Sequence, residues 1–325
     1  MAQKLSGQLA YDILDEFPDA TTRALARILY RDNPEVYNST EHARSLLNAY
    51  RGTCGGRLRN RIKSNKHFKT MKYDLPEPEQ QEYLPYILPK AATKILILSD
   101  LHIPYHDNEA IKAALDYGRV DRDINTILLN GDIMDFYSLS RFVKDPRARS
   151  LKQELEDMKK FLGVLGDYKI YYKLGNHEER LEKYLMIKAP ELLGITEFEL
   201  QNLLGFGSRG IELINDQRIV MAGKLPILHG HEFWSKSTGG VNPARSLFLK
   251  SSKSALVAHS HRTSIHTEMD LMGKIITCWS VGGLCQLHPE YARINKWNHG
   301  AAFVEIDKEG GFKVDNFRIS EGKVL

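Results

Sequence analysis

The sequence predicts an α/β domain preceded by a small all-helical domain. Apolar, β-prone runs recur from residue 94 onward, polar residues follow most of them directly, and segments of helical periodicity lie between several. The first quarter of the chain instead shows short helical patterns rich in basic residues. With 325 residues, 42% of them hydrophobic, the chain has room for one large domain and a small appendage.

We predict three segments along the chain. Residues 1–73 form the small helical domain, 74–92 an extended linker, and 93–325 the α/β domain. The linker is indicated by its prolines, which favour extended backbone: Pro76, Pro78, Pro85 and Pro89.

Helical patterns in the first segment cover residues 5–17, 22–30 and 40–50, with Asn38 and Glu41 as a cap and its partner for the third. Short helices with brief turns are typical of a helix-turn-helix or winged-helix module. A dimerisation or partner-binding module and a passive cap are the alternatives.

Basic residues are concentrated in this segment. Residues 1–73 carry 13 Lys and Arg against 7 Asp and Glu, a net charge of +6, while the whole chain has +4. Between residues 51 and 73 the sequence has eight basic residues and no acidic one. This charge favours nucleic acid as a partner. The candidate contacts are Arg57, Arg59, Arg61 and Lys63.

The predicted strands of the α/β domain are apolar runs that suit strands buried on both faces. They are residues 94–99, 126–129, 170–174, 225–228 and 255–257, with 274–281, 301–306 and 313–319 completing the fold. Helical patterns at 108–119, 149–165 and 178–188 provide crossovers. Because open α/β sheets gather ligands at strand ends, we expect the polar residues there to converge.

Five short polar motifs follow the first five of these strands. An isolated Asp-x-His is usually a loop fragment, but five such motifs in one order favour a metal site. Their Asp, Asn and His donors suit borderline divalent ions such as Mn²⁺, Fe²⁺ or Zn²⁺. The motifs are Asp100-Leu-His102, Gly131-Asp132-Ile-Met-Asp135, Gly175-Asn176-His177-Glu178, His229-Gly230-His231 and Ala258-His259-Ser-His261.

The order of these motifs, from about Lys94 to near the C-terminus, resembles the calcineurin-like metallophosphoesterase superfamily. The stretches at 175–181 and 279–283 are similar to shorter members of bacteria and their phages. The resemblance implies a four-layer α/β/β/α sandwich of two mixed sheets. It also implies a metal-dependent phosphoric ester hydrolase.

The resemblance further implies two divalent metal ions per chain, Mn²⁺ foremost. Asp100, His102 and His261 would hold one ion. Asn176, His229 and His259 would hold the other, and Asp132 would bridge the two.

Two such ions about 3.5 to 4 Å apart lower the pKa of a shared water toward about 7, so a metal-bridging hydroxide is the expected nucleophile. His177 is then the candidate to protonate the leaving oxygen, because it follows Asn176 directly. Asp135 would accept a hydrogen bond from His177 and orient it.

Substrate contacts are predicted from residues next to the motifs. Arg262 follows His261 and is the preferred anion contact, with Arg180 as the alternative in a charged helix. His231 is a further candidate. Aromatic residues beside the motifs could stack on a nucleobase or belong to the core: Phe136, Tyr137 and Trp234.

Phe136 and Tyr137 also follow Asp135 where Ser/Thr phosphatases have Arg and Gly, which argues against a phosphoprotein phosphatase. We expect a phosphodiesterase or nuclease acting on nucleic acid. The alternatives are a phosphomonoesterase, a cyclic nucleotide or dinucleotide phosphodiesterase, and a DNA-binding regulator with an inactive phosphoesterase domain. The complete ligand set argues against the last.

The sequence predicts a cytoplasmic protein without a membrane partner. No N-terminal apolar run resembles a signal peptide, and no stretch approaches membrane-spanning length. The three cysteines are too few and too irregularly spaced for a disulfide framework. The sequence leaves the oligomeric state open.

Overall fold

The computed structural model describes residues 2–18, 20–51, 84–145, 149–166, 168–215, 217–233 and 241–325. The chain divides into two compact units, Met1–Glu82 and Tyr83–Leu325. No helix in these ranges is long and apolar enough to cross a membrane.

The described part of the first unit contains helices α1 (Ala2–Glu16), α2 (Thr22–Asp32) and α3 (Thr40–Tyr50), close to the predicted segments. They pack around buried apolar residues such as Leu25 and Leu47. The helix-turn-helix character of this unit stays a prediction.

The N-cap of α3 is Ser39, so the predicted cap at Asn38 is wrong. The Ser39 hydroxyl accepts a hydrogen bond from the His42 backbone N–H at 3.1 Å. His42 Nδ1 in turn accepts from the Asn38 backbone N–H at 3.4 Å. Glu41 pairs with Arg44 instead of serving the cap. Ser39 takes the role because its backbone is extended and its hydroxyl reaches the first turn.

The second unit contains two mixed β-sheets. In the described chain the strand order is β13-β12-β11-β2-β3-β4-β5 in one sheet and β1-β6-β7-β8-β10-β9 in the other. The strands are β1 (Tyr86–Ile87), β2 (Lys94–Leu98), β3 (Thr126–Asn130), β4 (Lys169–Lys173), β5 (Glu212–Ile214), β6 (Val220–Ala222), β7 (Leu225–Leu228), β8 (Ala255–Val257), β9 (Ser264–Met269), β10 (Ile275–Ser280), β11 (His299–Ile306), β12 (Phe312–Ser320) and β13 (Lys323–Val324).

Every predicted strand is present, with its ends shifted by a residue or two at most. Strands β1, β5, β6, β9 and β13 lie outside the predictions because they are short or largely exposed. The helices are α4 (Asn108–Asp116), α5 (Leu151–Val164), α6 (Glu179–Lys188), α7 (Leu200–Leu204), α8 (Phe206–Arg209) and α9 (Pro243–Ser251).

Alternate residues of the central strands face two different hydrophobic cores, as period-two side chains require. Leu96 and Leu98 of β2 pack in the core that contains Ala114 of α4 and Leu162 of α5. Ile95 and Ile97, their neighbours, pack between the two sheets. The outer face of the second sheet packs against α9. The predicted four-layer α/β/β/α sandwich is therefore confirmed.

The end of the predicted linker belongs to this fold. Tyr86 and Ile87 pair in parallel with Val220 and Met221, which adds an edge strand to the second sheet. Leu88 is buried in the core between the sheets. Pro85 and Pro89 flank this strand, where a missing N–H is tolerated at a sheet edge. Residues 74–83 of the predicted linker lie outside the described ranges.

Candidate metal centre

The five motif loops lie at the carboxyl ends of strands. β2, β3 and β4 are parallel neighbours, so the loops that contain Asp100, Asp132 and Asn176 leave the same edge of the first sheet. β7 and β8 are parallel neighbours in the second sheet, and the loops of His229 and His259 follow them. The packing of the two sheets brings these loops together.

Left-handed backbone is concentrated in these loops. Few residues other than glycine adopt a positive φ, and Asn, Asp and His do so more readily than most. Strained conformations of this kind cluster at functional sites. The positive φ angles are 54° at Asp100, 50° at His102, 51° at Asp132, 66° at His259 and 53° at His261.

One cluster of donor atoms contains the ligands predicted for the first metal. His261 Nε2 lies 3.1 Å from Asp100 Oδ1. It also lies 3.2 Å from His102 Nε2. The opposite ring nitrogen of His102, Nδ1, lies 3.1 Å from Asp135 Oδ1. A carboxylate on the far ring nitrogen orients a metal-binding histidine, so Nε2 of His102 is the atom presented to the site.

A second cluster surrounds Asp132. Its Oδ2 lies 3.2 Å from His229 Nε2 and 3.9 Å from His259 Nδ1. His229 Nδ1 donates to the Asn130 carbonyl at 2.8 Å, which leaves Nε2 facing the site. Asp100, Asp132, His229 and His259 each offer a ligand atom within 4.8 Å of the others, so Asp132 stands between the two predicted ligand sets.

Four buried atoms of the predicted metal ligands have no hydrogen-bond partner among the described residues. They are Asp100 Oδ1, Asn176 Oδ1, His229 Nε2 and His259 Nδ1. Two of them lie close to a side chain without a hydrogen bond to it: His229 Nε2 is 3.2 Å from Asp132 Oδ2, and Asp100 Oδ1 is 3.1 Å from His261 Nε2. Leaving a buried polar atom unpaired costs about 1 to 3 kcal/mol. Bound cations would satisfy all four.

The charges of the cluster also favour cations. Burial lowers the pKa of His229, but the carboxylates of Asp132 and Asp100 outweigh it and raise that pKa to about 10. Burial likewise lowers the pKa of His261, and Asp100 outweighs it and raises the pKa well above its usual value. Metal ions that displace these protons would provide the positive charge that the buried carboxylates stabilise. The donor set therefore fits divalent metal ions.

Two glycines let the motif loops approach one another. A Cβ on Gly131 would stand 2.5 Å from His229 Nδ1, and Gly131 has a φ of +84°. A Cβ on Gly175 would overlap both the carboxylate and the backbone nitrogen of Asp132. These positions exclude every residue with a side chain, because the neighbouring atoms are ligands or backbone.

Gly175→Ala is therefore expected to displace Asp132 and to lower metal affinity about 10- to 100-fold, the usual effect of disturbing a ligand's support. Metal titration of activity and the rise in Tm with added Mn²⁺ would measure the change. Gly163→Ala is the matched control, because a Cβ there has open space around it. Unchanged metal affinity in Gly175→Ala would contradict this account.

His177 lies in the candidate metal centre, in contact with Asp135, its predicted partner. His177 Nδ1 lies 2.9 Å from Asp135 Oδ1 and also 2.9 Å from the Asp135 carbonyl oxygen. Arg180 Nη2 lies 2.9 Å from His177 Nε2. A guanidinium only donates, so His177 Nε2 accepts and Nδ1 carries the proton. Arg180 Nη1 also donates to the Asp135 carbonyl at 2.7 Å.

Glu178 holds the loop of Asp132, a role that the sequence did not indicate. Its buried carboxylate accepts backbone N–H donors from Asp132 at 3.0 Å, Ile133 at 2.7 Å, Met134 at 3.0 Å and Gly175 at 2.8 Å. Its position in the Gly-Asn-His-Glu motif was the available signal.

The structure places the two candidate arginines in different surroundings, and an anion contact of either stays a prediction. Arg262 Nη2 donates to the Val241 carbonyl at 2.5 Å, while Arg180 lies beside His177. His231 Nε2 lies 3.0 Å from Glu179 Oε1, and its side chain is only 7% exposed. This pairing holds the ring, and a substrate contact of His231 stays a prediction.

The structure also places two of the candidate aromatic residues. Phe136 is fully buried and belongs to the core, which is the alternative to stacking that the sequence left open. Its left-handed backbone is held by Glu154, which accepts the Phe136 N–H. The Tyr137 hydroxyl accepts the Asp145 N–H at 2.9 Å. Trp234 lies outside the described residues, as do Arg57, Arg59, Arg61 and Lys63.

The chain was compared with known proteins. A family model for calcineurin-like phosphoesterases matches residues 93–280. Gene 54 protein of Mycobacterium phage L5 is 29% identical over 230 residues, which cover 66% of this chain and 89% of that protein. A Vps29 single mutant from Entamoeba histolytica matches with a TM-score of 0.37 and 13% identity, covering 71% of this chain and 96% of that chain. Nuclease MPE of Pseudomonas putida matches with a TM-score of 0.30 and 13% identity, covering 68% and 86%.

The two-sheet sandwich and its buried His/Asp cluster define a metal-dependent phosphoric ester hydrolase. The family model spans more than half of the chain, and the protein belongs to the calcineurin-like phosphoesterases.

Proposed function

We propose that the protein hydrolyses phosphodiester bonds, with nucleic acid as the substrate class. The observation that supports this most directly is that one guanidinium among the described residues, that of Arg180, contacts His177. The position after Asp135 is taken by the buried Phe136, and Arg262 is turned toward Val241. A diester carries one negative charge, whereas a monoester carries up to two and calls for more positive groups.

Seven side chains would hold two metal ions, for which we propose Mn²⁺ because the oxygen and imidazole donors suit borderline divalent ions. The ions would polarise the phosphate and activate water. The seven side chains are those of Asp100, His102, Asp132, Asn176, His229, His259 and His261. Elemental analysis of the purified protein tests the metal identity.

Arg180 is proposed to exchange His177 for the substrate phosphate. An anionic phosphate is a stronger acceptor than a neutral imidazole, so binding draws the guanidinium away from His177 Nε2. That nitrogen can then take up a proton from solvent, which makes the ring an imidazolium, and it passes this proton to the leaving oxygen. Asp135 holds Nδ1 at 2.9 Å and favours the protonated ring.

A substrate panel tests the proposal with Mn²⁺ present: bis-p-nitrophenyl phosphate, p-nitrophenyl phosphate, cyclic nucleotides, and labelled DNA and RNA. We expect the diester to be hydrolysed faster than the monoester, and DNA or RNA to be cleaved. Preference for the monoester, or for cyclic nucleotides over DNA and RNA, would contradict it.

The basic segment carries the nucleic-acid part of the proposal and predicts a salt effect. Each phosphate contact on duplex DNA contributes about −0.9 to the slope of log K against log salt. Changing Arg57, Arg59 and Arg61 to Ala should flatten that slope by about 2 to 3 units in full-length protein. Filter binding or fluorescence anisotropy would measure it.

The matched control removes equal charge from exposed positions of the second unit, Lys308, Lys313 and Lys323. This triple Ala variant should keep the parent slope. Equal slopes for both variants would show that the basic segment does not contact phosphates specifically.

A further inference from the structure

We propose that Tyr291 and Trp297 form a stacking subsite for a nucleobase beside the metal centre. The ligand class is a nucleoside attached to the phosphodiester that is cleaved. The inference rests on the proposed function and deepens it by assigning a part of the substrate to a surface. The two side chains are called the aromatic pair below.

Trp297 packs directly against a predicted metal ligand. Its ring centroid lies 4.2 Å from that of His261, with the planes inclined by 48°. Tyr291 lies next to Trp297 at 6.3 Å between centroids, in an edge-on arrangement of 64°. The aromatic pair therefore extends outward from His261 toward solvent.

The exposure of Tyr291 is unlike that of a core residue. It is 79% exposed, and an aromatic ring that served packing alone would be buried. The reacting groups are nevertheless near. Partial desolvation of its hydroxyl, followed by the charge of Asp135, raises the pKa of Tyr291 to about 12, and Arg180 opposes that rise. The exposed surface of Tyr291 is the surface that a ligand would contact.

The loop that carries Trp297 is held on both sides. Asn295 Oδ1 accepts the Trp297 backbone N–H at 2.7 Å, and Asn295 Nδ2 donates to the Ala292 carbonyl at 2.6 Å. Asn298 donates its backbone N–H to the His261 carbonyl at 2.9 Å. A loop held in place before binding loses less entropy when a ligand stacks on its side chains.

Stacking suits a nucleic-acid substrate because every base has an aromatic face, so the contact tolerates any sequence. A phosphate at the metal centre would bring the attached nucleoside, one sugar away, toward the aromatic pair. Lys296, between Asn295 and Trp297, is exposed and adds a positive charge for a neighbouring phosphate.

The test compares two diesters in full-length enzyme with Mn²⁺. One is thymidylyl-thymidine, and the other is the same sugar–phosphate diester without its bases. Tyr291→Ala should raise KM for thymidylyl-thymidine about 5- to 150-fold, the loss expected for one stacked base. KM for the abasic diester should change less than twofold.

Tyr291→Phe keeps the ring and should behave as the parent enzyme. Ile294→Ala, in the same loop and fully exposed, controls for disturbance of the loop and should leave both substrates unchanged. Equal losses for both diesters in Tyr291→Ala, or no loss for either, would overturn the subsite.

A binding measurement separates failure of the subsite from failure of the proposed function. Calorimetric titration of thymidine 5′-monophosphate and of deoxyribose 5-phosphate requires no turnover. If the enzyme cleaves neither diester but Tyr291→Ala weakens only the nucleotide, the subsite stands and the proposed diester activity is wrong. If Tyr291→Ala binds both ligands like the parent, the subsite is wrong whatever the enzyme cleaves.

Discussion

Asp132→Asn is expected to abolish hydrolysis and to lower the metal content of the protein. The substitution removes a negative charge and replaces one oxygen of the carboxylate that we expect to bridge the ions with an amide nitrogen that cannot bind metal. Oδ2 of Asp132 lies 3.2 Å from His229 Nε2, so the change falls between the predicted ligand sets. For Asp132→Asn we expect a loss of about 4 kcal/mol of transition-state stabilisation, which corresponds to a decrease of about 10³-fold in kcat/KM.

Turnover of bis-p-nitrophenyl phosphate and elemental analysis would measure both effects. Asp123→Asn is the matched control, since that side chain is 93% exposed and Asn tolerates its left-handed backbone. Full metal content together with near-parent activity in Asp132→Asn would show that Asp132 does not bridge two ions.

His177→Ala is expected to slow substrates according to their leaving groups. General acid catalysis contributes about 10² to 10⁴-fold, and this contribution is lost only where the leaving oxygen needs a proton. Esters with alkoxide leaving groups should lose that factor, whereas p-nitrophenyl esters should lose little. Rates of a leaving-group series, at equal metal content, would measure the dependence.

The control for this variant is His266→Ala, on the edge strand β9 of the second sheet, which should match the parent enzyme. A uniform loss across leaving groups in His177→Ala would instead assign the ring to phosphate binding. Phosphate binding is the alternative because Arg180 contacts His177 at 2.9 Å, and the loss of His177 also releases that guanidinium.

The sequence predicted the longer buried strands of the fold well because they depend on local patterns. Runs such as Ile95–Leu98 are apolar at every position, and only a strand packed on both faces accommodates them. Short or exposed strands escaped prediction because they have no long run of buried apolar residues. β1 forms at Tyr86–Ile87 through pairing with residues far along the chain, which no local pattern contains.

The sequence by itself indicated the family, because residue types in a fixed order after strands resemble it, and that resemblance implied the two-sheet sandwich and the candidate ligands. Only the tertiary structure decided which neighbours meet. It placed Arg180, rather than Arg262, beside His177, and buried Phe136. It also brought Trp297 onto His261, from a loop whose sequence contains none of the motifs. The direction of a side chain at a strand end depends on backbone angles and on distant packing partners, and neither is written in the residues beside it.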